Sequence, residues 1–133
     1  MGDYHRDVAV YSDAAGRSDA REALTRIWRS DRRAARAIDN RIRVLRQHLR
    51  LSDALAAGVI KQPTATIYVL RVQSGSVSYR LPFFEVPDSA GELVVITHCE
   101  HRSLLRRDGY KLLIEAAERR RQDWIRRNAK EGD

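Results

Sequence analysis

Two arginines lie in the middle of segments whose apolar residues alternate as is typical of β-strands. Arg71 lies in segment 67–72 and Arg80 in segment 77–84, and a Gln-Ser-Gly-Ser turn separates the two segments. Because side chains alternate between the faces of a strand, apolar neighbours that face a core send both arginines to the opposite face. An arginine in mid-strand is costly unless it meets solvent, a carboxylate or a phosphate. We therefore expect Arg71 and Arg80 to converge on a sheet surface that no helix covers, as candidates for binding phosphate.

A second group of reactive side chains follows the next predicted strand, in the order His98-Cys99-Glu100-His101-Arg102. Histidine exchanges protons near neutral pH, so His98 and His101 are candidates for acid–base chemistry, with Arg102 as a neighbouring cation. A metal site is not expected, because adjacent strand residues point to opposite faces and no fourth ligand is evident. The single cysteine also excludes a four-cysteine zinc site. The sequence therefore predicts no metal and no other cofactor.

Each candidate has a structural alternative. Arg80 can pair with a carboxylate, such as Glu85 or Glu100, instead of a phosphate. His98 can be a strand-end histidine without a function, Tyr110 can be a residue that packs a helix, and the residues after Glu100 can be ordinary loop residues. Three further side chains are expected in the core: Trp28, Trp124 and Cys99.

The elements that must position these residues follow the order strand, two helices, three strands and helix. Asp19 and Glu22 resemble a capping box at the start of the first helix, and apolar residues spaced three and four apart define the second. Two helices joined by so short a connection are expected to form a hairpin. The predicted strands span 8–11, 67–72, 77–84 and 93–98, the predicted helices span 19–28, 31–50 and 110–127, and 52–66 are expected to form one helical turn and a loop.

This order predicts an α+β fold for residues 1–133, taken as a single domain. A small, mainly antiparallel sheet is expected to have the helical hairpin and the C-terminal helix packed on one face. Pro82 cannot donate a ladder hydrogen bond, so it predicts a bulge or an edge within its strand.

The charge of the chain is strongly basic and unevenly distributed. Its 133 residues include 25 Lys and Arg against 18 Asp and Glu, a net charge of +7, and the excess lies before residue 61 and after residue 100. Such a chain suits an anionic partner, either nucleic acid or an acidic protein segment, although solvated helix faces are the alternative. No apolar run is long enough to span a membrane and the first residues do not resemble a signal peptide, so a soluble, cytoplasmic protein is expected.

Four segments of the chain resemble the RelE/ParE-type toxins of bacterial type II toxin–antitoxin systems, especially their HigB-like branch. They are IYVLRV at 67–72, YRLPFF at 79–84, LVVITH at 93–98 and EAAERR at 115–120. The order of elements fits the RelE-like fold over about 19–127, nearly the whole chain.

The resemblance implies a translation inhibitor that enters the ribosomal decoding site and cuts mRNA there without a metal. In such enzymes the RNA 2′-hydroxyl attacks its own phosphate, which requires a base, an acid and cations around the phosphorane. By position, the expected catalytic residues are Arg80, His98, His101, Arg102 and Tyr110, and the expected substrate-binding residues are Lys61, Arg71 and Arg106. Glu100 departs from the family pattern, because relatives often carry cations in this segment.

The resemblance also implies partners. A cognate antitoxin is expected to mask the basic surface, and the complex is expected to bind operator DNA as a hetero-oligomer, while ribosome and mRNA are the targets and no membrane is involved. Two other functions remain open: a ParE-like toxin that poisons DNA gyrase without nuclease activity, and a non-catalytic basic module that binds nucleic acid.

Overall fold

The computed structural model describes residues 6–47, 50–102 and 109–129 of the chain. Within them, four helices and six strands alternate in an α+β arrangement. In chain order these are β1 (Asp7–Val10), α1 (Asp19–Ser30), α2 (Arg32–Gln47), α3 (Leu51–Ala56), β2 (Ile60–Lys61), β3 (Tyr68–Ser74), β4 (Val77–Glu85), β5 (Leu93–Ile96), β6 (Glu100–His101) and α4 (Gly109–Ala129). None of the described helices is both long and apolar enough to cross a bilayer.

The strands form one mixed sheet in the order β1-β5-β4-β3-β2, and the short strand β6 also pairs with β4. Only the β1–β5 pair is parallel, and the other pairs are antiparallel. The predicted α+β class and mainly antiparallel sheet are therefore confirmed. Strands β2 and β6 were not predicted, since a strand of two residues is too short to show an alternating pattern.

Pro82 lies in β4 where the neighbouring strand is interrupted. On one side of β4, Val69 of β3 pairs with Pro82. On the other side β5 pairs with residues 83–85 of β4 and β6 pairs with residues 79 and 80, so no strand residue pairs with Pro82 there. Its carbonyl still accepts hydrogen bonds from the Thr97 backbone N–H at 2.9 Å and the Thr97 hydroxyl at 3.2 Å. The missing proline N–H therefore falls at the break between β5 and β6, which matches the predicted irregularity.

Helices α1 and α2 form the predicted hairpin and pack on one face of the sheet. The Ser18 hydroxyl caps α1 by accepting from the Arg21 backbone N–H, so this helix is capped one residue earlier than the predicted Asp19. Asp31 caps α2 in the same way, through the Ala34 N–H at 3.1 Å. The predicted extension of α2 through Leu49 lies partly outside the described residues. The core beneath the hairpin contains Ala20, Ala23, Ile27, Ala34, Ile38 and Leu45 from the helices, with Leu70, Val72, Leu81, Phe83 and Ile96 from the sheet.

Helix α4 packs on the opposite face, so the prediction that all helices share one face is wrong. A second, smaller core contains Phe84, Val95 and Ala117, and the Trp124 ring meets the Phe84 ring at 5.8 Å. The reason lies in β4, where the consecutive residues Phe83 and Phe84 are both fully buried. Consecutive buried apolar residues require cover on both faces of a strand.

Side-chain hydrogen bonds attach α4 to the sheet. The Tyr11 hydroxyl donates to Asp123 at 2.5 Å, and the Thr66 hydroxyl donates to Glu118 at 2.8 Å. At the end of this face, Lys61 of β2 and Arg71 of β3 are exposed, and the first turn of α4, with Tyr110, lies beside them.

Trp28 is not a core residue, which corrects the sequence-based expectation. Its side chain is 44% exposed near the end of α1, whereas Trp124 is half-buried and Cys99 is buried. Burial raises the pKa of the Cys99 thiol to about 12, so this cysteine is an unreactive thiol in the folded protein.

Candidate functional site

Three neighbouring strands place one cation each on the same face of the sheet. Arg71 and Arg80 are direct partners across the antiparallel β3–β4 pair. Lys61 of β2 lies opposite Val69, and residues two apart on a strand share a face, so Lys61 and Arg71 are neighbours on this face. The predicted convergence of Arg71 and Arg80 is therefore present, on the part of the face that α4 leaves open.

Strand β6 and the start of α4 complete the site. Pairing of Glu100 with Arg80 fixes β6 against β4, and Arg102 follows directly. The result is a cavity of about 410 Å³, here called the basic cavity, lined by Lys61, Arg71, Arg80, Arg102 and Tyr110.

Arg80 is the most buried cation of the basic cavity, with 8% of its surface exposed. Its Nη1 donates to the Tyr79 carbonyl at 3.1 Å, and among the described residues no carboxylate lies within the 4 Å of an ion pair. Burial lowers the pKa of Arg80, and the charges of Arg71 and Arg102 lower it further. The alternative in which Glu85 or Glu100 neutralises Arg80 is therefore not realised.

The basic cavity differs in charge from the other cavities of the described surface. Four others, of about 280–650 Å³, all contain at least one carboxylate beside their arginines. Among the described residues, none of those that line the basic cavity is a carboxylate. Unneutralised cations held together at a concave surface are the arrangement that binds an anion, and arginine in particular suits the oxygen geometry of phosphate.

His98 does not line the basic cavity. It is 4% exposed, and its Nδ1 lies 2.8 Å from the Thr97 hydroxyl. Burial, assisted by the charge of Arg120, lowers the pKa of His98 to about 4, so the ring is neutral at neutral pH. Its side chain faces a different groove of about 440 Å³ between α1 and α4, which Glu100 also lines.

The remaining predicted residues are also separate from the basic cavity or outside the described residues. The His101 ring meets the Tyr79 ring edge-on at 5.0 Å, and Tyr79 belongs to the core under the hairpin, on the other face of the sheet. Arg106 lies outside the described residues. Within the described residues, no group of three or more histidine, cysteine or acidic side chains is arranged to hold a metal ion.

The sequence-based prediction missed the strands β2 and β6, which carry part of the site, although it named all five described residues that line the basic cavity. Tyr79 faces the core, as the alternation of its strand predicts, while its carbonyl accepts from Arg80 and its ring packs against His101 in β6. Comparisons of the chain with protein-family models, with curated proteins and with solved structures found no match.

Proposed function

We propose that the basic cavity binds a phosphate of RNA and that the protein is a metal-independent, ribosome-dependent mRNA endoribonuclease, the toxin of a type II toxin–antitoxin system. The observation that carries the proposal is the composition of the cavity: the described residues that line it are four cations and one tyrosine, with no carboxylate among them. The resemblance of the strand segments to RelE/ParE-type toxins supports the same function.

Arg80 is the residue to which the proposal assigns the phosphate. Arg80 is buried and pairs with no carboxylate in the part of the chain that the structure describes, so little water or opposite charge weakens its attraction for an anion. Its planar donors match two phosphate oxygens, and Arg102 supplies a second cation on the same cavity wall. Donors fixed before the reaction stabilise the extra negative charge of the phosphorane, an effect worth about 10²–10³ in rate per group.

The proposed reaction needs no water and no metal. The 2′-oxygen forms a bond to the adjacent phosphorus, the bond from phosphorus to the 5′-oxygen breaks, and the products are a 2′,3′-cyclic phosphate and a 5′-hydroxyl. Arginine stays protonated in proteins, so among the described residues that line the cavity Lys61 is assigned the role of base: its side chain, as the neutral amine, accepts the 2′-hydroxyl proton and becomes the ammonium. Tyr110 donates a proton to the departing 5′-oxygen, and Arg71 holds the flanking backbone.

The partners follow from the same charge. An acidic antitoxin segment that covers the basic cavity would block the phosphate site, and the proposal places the protein in the cytoplasm, where the ribosome and mRNA are found. A net charge of +7 favours both kinds of partner.

The decisive experiment is induced expression in a bacterial host, with mRNA 5′-ends mapped during the first minutes. We expect growth arrest with new 5′-hydroxyl ends inside translated reading frames, in phase with codons. Arg80→Ala should abolish both effects, while the matched control Arg119→Ala, an exposed arginine of α4, should retain them. Thermal unfolding of both variants checks that they fold.

Other outcomes would contradict the proposal. Arrest without cleavage, accompanied by a DNA-damage response, would indicate a gyrase poison. Absence of arrest from a folded wild-type protein would indicate a non-catalytic binding module. Toxicity retained by folded Arg80→Ala would exclude the assigned role of Arg80.

A further inference from the structure

The arginines of α2 differ from those of α4 in how they are neutralised. Four of the five α4 arginines form ion pairs, with Asp19, Glu118 or Asp123 as partners. Helix α2 contains six arginines and one acidic residue, Asp39, and within the described residues none of the six forms an ion pair. Most arginines of α4 are thus paired with carboxylates of the chain, whereas those of α2 pair with no carboxylate in the described part of the chain and can bind a partner.

Three of these arginines form a stripe on the exposed side of α2. Arg32, Arg36 and Arg43 are separated by four and seven residues, so they lie on one side of the helix, opposite its buried residues. The stripe extends about 16 Å along the helix axis, at a rise of about 1.5 Å per residue. Asp39 lies on the same side but within ion-pair distance of none of them.

An exposed aromatic ring continues the stripe at the corner of the hairpin. The guanidinium of Arg32 lies over the Trp28 indole at 5.4 Å, and the indole is 44% exposed. Burial in the core does not explain a tryptophan here. An exposed aromatic ring beside arginines suits RNA, because unpaired bases stack on the ring and phosphates bind the cations.

We propose that Trp28, Arg32, Arg36 and Arg43, here called the hairpin stripe, form a second RNA-binding surface, separate from the basic cavity. The arginines bind phosphates of one RNA strand along the roughly 16 Å length of the stripe. An unpaired base stacks on Trp28. The hairpin and the basic cavity are on opposite faces of the sheet, so the RNA bound by the stripe is distinct from a strand in the cavity.

The test measures affinity for an RNA hairpin with a single-stranded flank. The RNA is fully 2′-O-methylated, so no 2′-hydroxyl is available for attack and the binding measurement is independent of cleavage. We expect Arg36→Gln/Arg43→Gln to weaken binding roughly tenfold and to reduce the slope of log K against log salt by about 0.7–0.9 per lost phosphate contact. The matched control is Arg17→Gln/Arg119→Gln, which removes the same charge from two exposed arginines that lie near Asp13 and Asp19. It should bind nearly as the wild type does.

A second measurement addresses stacking. RNA should quench tryptophan fluorescence of the wild-type protein, and Trp28→Leu should abolish the quenching and weaken binding at least about fivefold. The exposed position of Trp28 makes this variant compatible with folding, which thermal unfolding checks.

Three results would overturn the proposal. The first is an equal loss of RNA affinity in Arg36→Gln/Arg43→Gln and in its control Arg17→Gln/Arg119→Gln. The second is unchanged fluorescence quenching in Trp28→Leu. The third is equal affinity of the wild-type protein for a DNA duplex of the same sequence, which would indicate a general polyanion surface. The outcome is distinct from that of the proposed nuclease function. If the nuclease proposal fails, mRNA is not cleaved but the stripe variants still lose affinity; if the stripe fails, Arg80 variants still lose cleavage.

Discussion

Arg71 and Arg80 lie directly opposite each other across β3 and β4, so two like charges occupy one cross-strand pair. Like charges in this position destabilise a sheet. Within the described residues neither guanidinium forms an ion pair, and Arg80 is also buried. We therefore expect the pair to cost folding free energy, which a bound anion would offset.

Arg71→Thr should make the protein more stable and less active. The substitution removes the repulsion and introduces a good strand former, so we expect the free energy of unfolding to rise by about 0.2–1 kcal/mol. Urea denaturation at low salt measures this gain. The matched control is Gln73→Thr, on the same exposed side of β3, where no arginine lies opposite. A gain no larger than that of the control would show that the charge pair costs nothing.

Tyr110→Phe should lower the cleavage rate without weakening RNA binding. The variant keeps the aromatic ring at the rim of the basic cavity but removes the hydroxyl that the proposed mechanism uses as the acid. Loss of a general acid typically costs about 10²–10⁴ in rate. Single-turnover cleavage of ribosome-bound mRNA measures it. Tyr110→Ala should add a loss of affinity, and a Phe variant as fast as the wild type would leave stacking as the role of this ring.

Glu118→Gln should lower stability at neutral pH, with a difference that disappears in acid. The Arg121 side chain, with the Thr66 hydroxyl, lowers the pKa of Glu118 from 4.5 to about 2. A carboxylate with a lowered pKa stabilises the fold above its unfolded pKa, and this contribution is lost as the pH falls from 4.5 towards 2. Solvent screening at this half-buried site limits the effect to about 1 kcal/mol. Unfolding midpoints of wild type and variant are measured across this pH range. A difference between them that stayed constant as the pH fell would contradict the expectation.

His98→Gln should make the free energy of unfolding less dependent on pH between about 6.5 and 4. Because burial lowers the pKa of His98 from 6.5 to about 4, the neutral ring stabilises the fold above pH 6.5. That stability, on the order of 2–3 kcal/mol, is lost as the pH falls from 6.5 to 4. Urea unfolding at several pH values should give a flatter profile for the variant.

The same variant tests whether His98 acts in catalysis. Its side chain does not line the basic cavity, so we expect His98→Gln to retain most of the cleavage activity when it is folded. A loss as large as that of Arg80→Ala would instead assign His98 a catalytic role that its position in the structure does not explain.

The basic cavity was predictable because its main residues lie on long strands. The alternation in β3 and β4 was sufficient to place Arg71 and Arg80 on one face, and the turn between the strands fixed their register. The positions of Lys61 and Arg102 came from the family resemblance, since the two-residue strands beside them show no pattern of their own.

The predictions about the helix faces and Trp28 were wrong, and the two histidines lie away from the basic cavity, for physical reasons that the sequence pattern indicates only weakly. Consecutive buried residues Phe83 and Phe84 indicated that both faces of β4 are covered, but the alternation of their neighbours suggested one. Trp28 lies at the edge of the buried stripe of α1, where helical spacing alone does not decide whether a side chain is buried. His101 directly precedes Arg102, yet it pairs with Tyr79, whose side chain faces the core under the hairpin, and His98 lines a different groove.

The parallel pairing of β1 with β5 has a consequence for how the chain folds. Strand β1 has no partner until β5 is formed, and the Tyr11–Asp123 hydrogen bond joins residues 112 positions apart. Contacts so distant along the chain raise the contact order, which slows folding because long loops must close before the contact is gained. We expect the antiparallel strands β3 and β4 to form early and the docking of β1 and α4 to be the late step. A chain still being synthesised would therefore hold Arg71 and Arg80 together before Tyr110 reaches them.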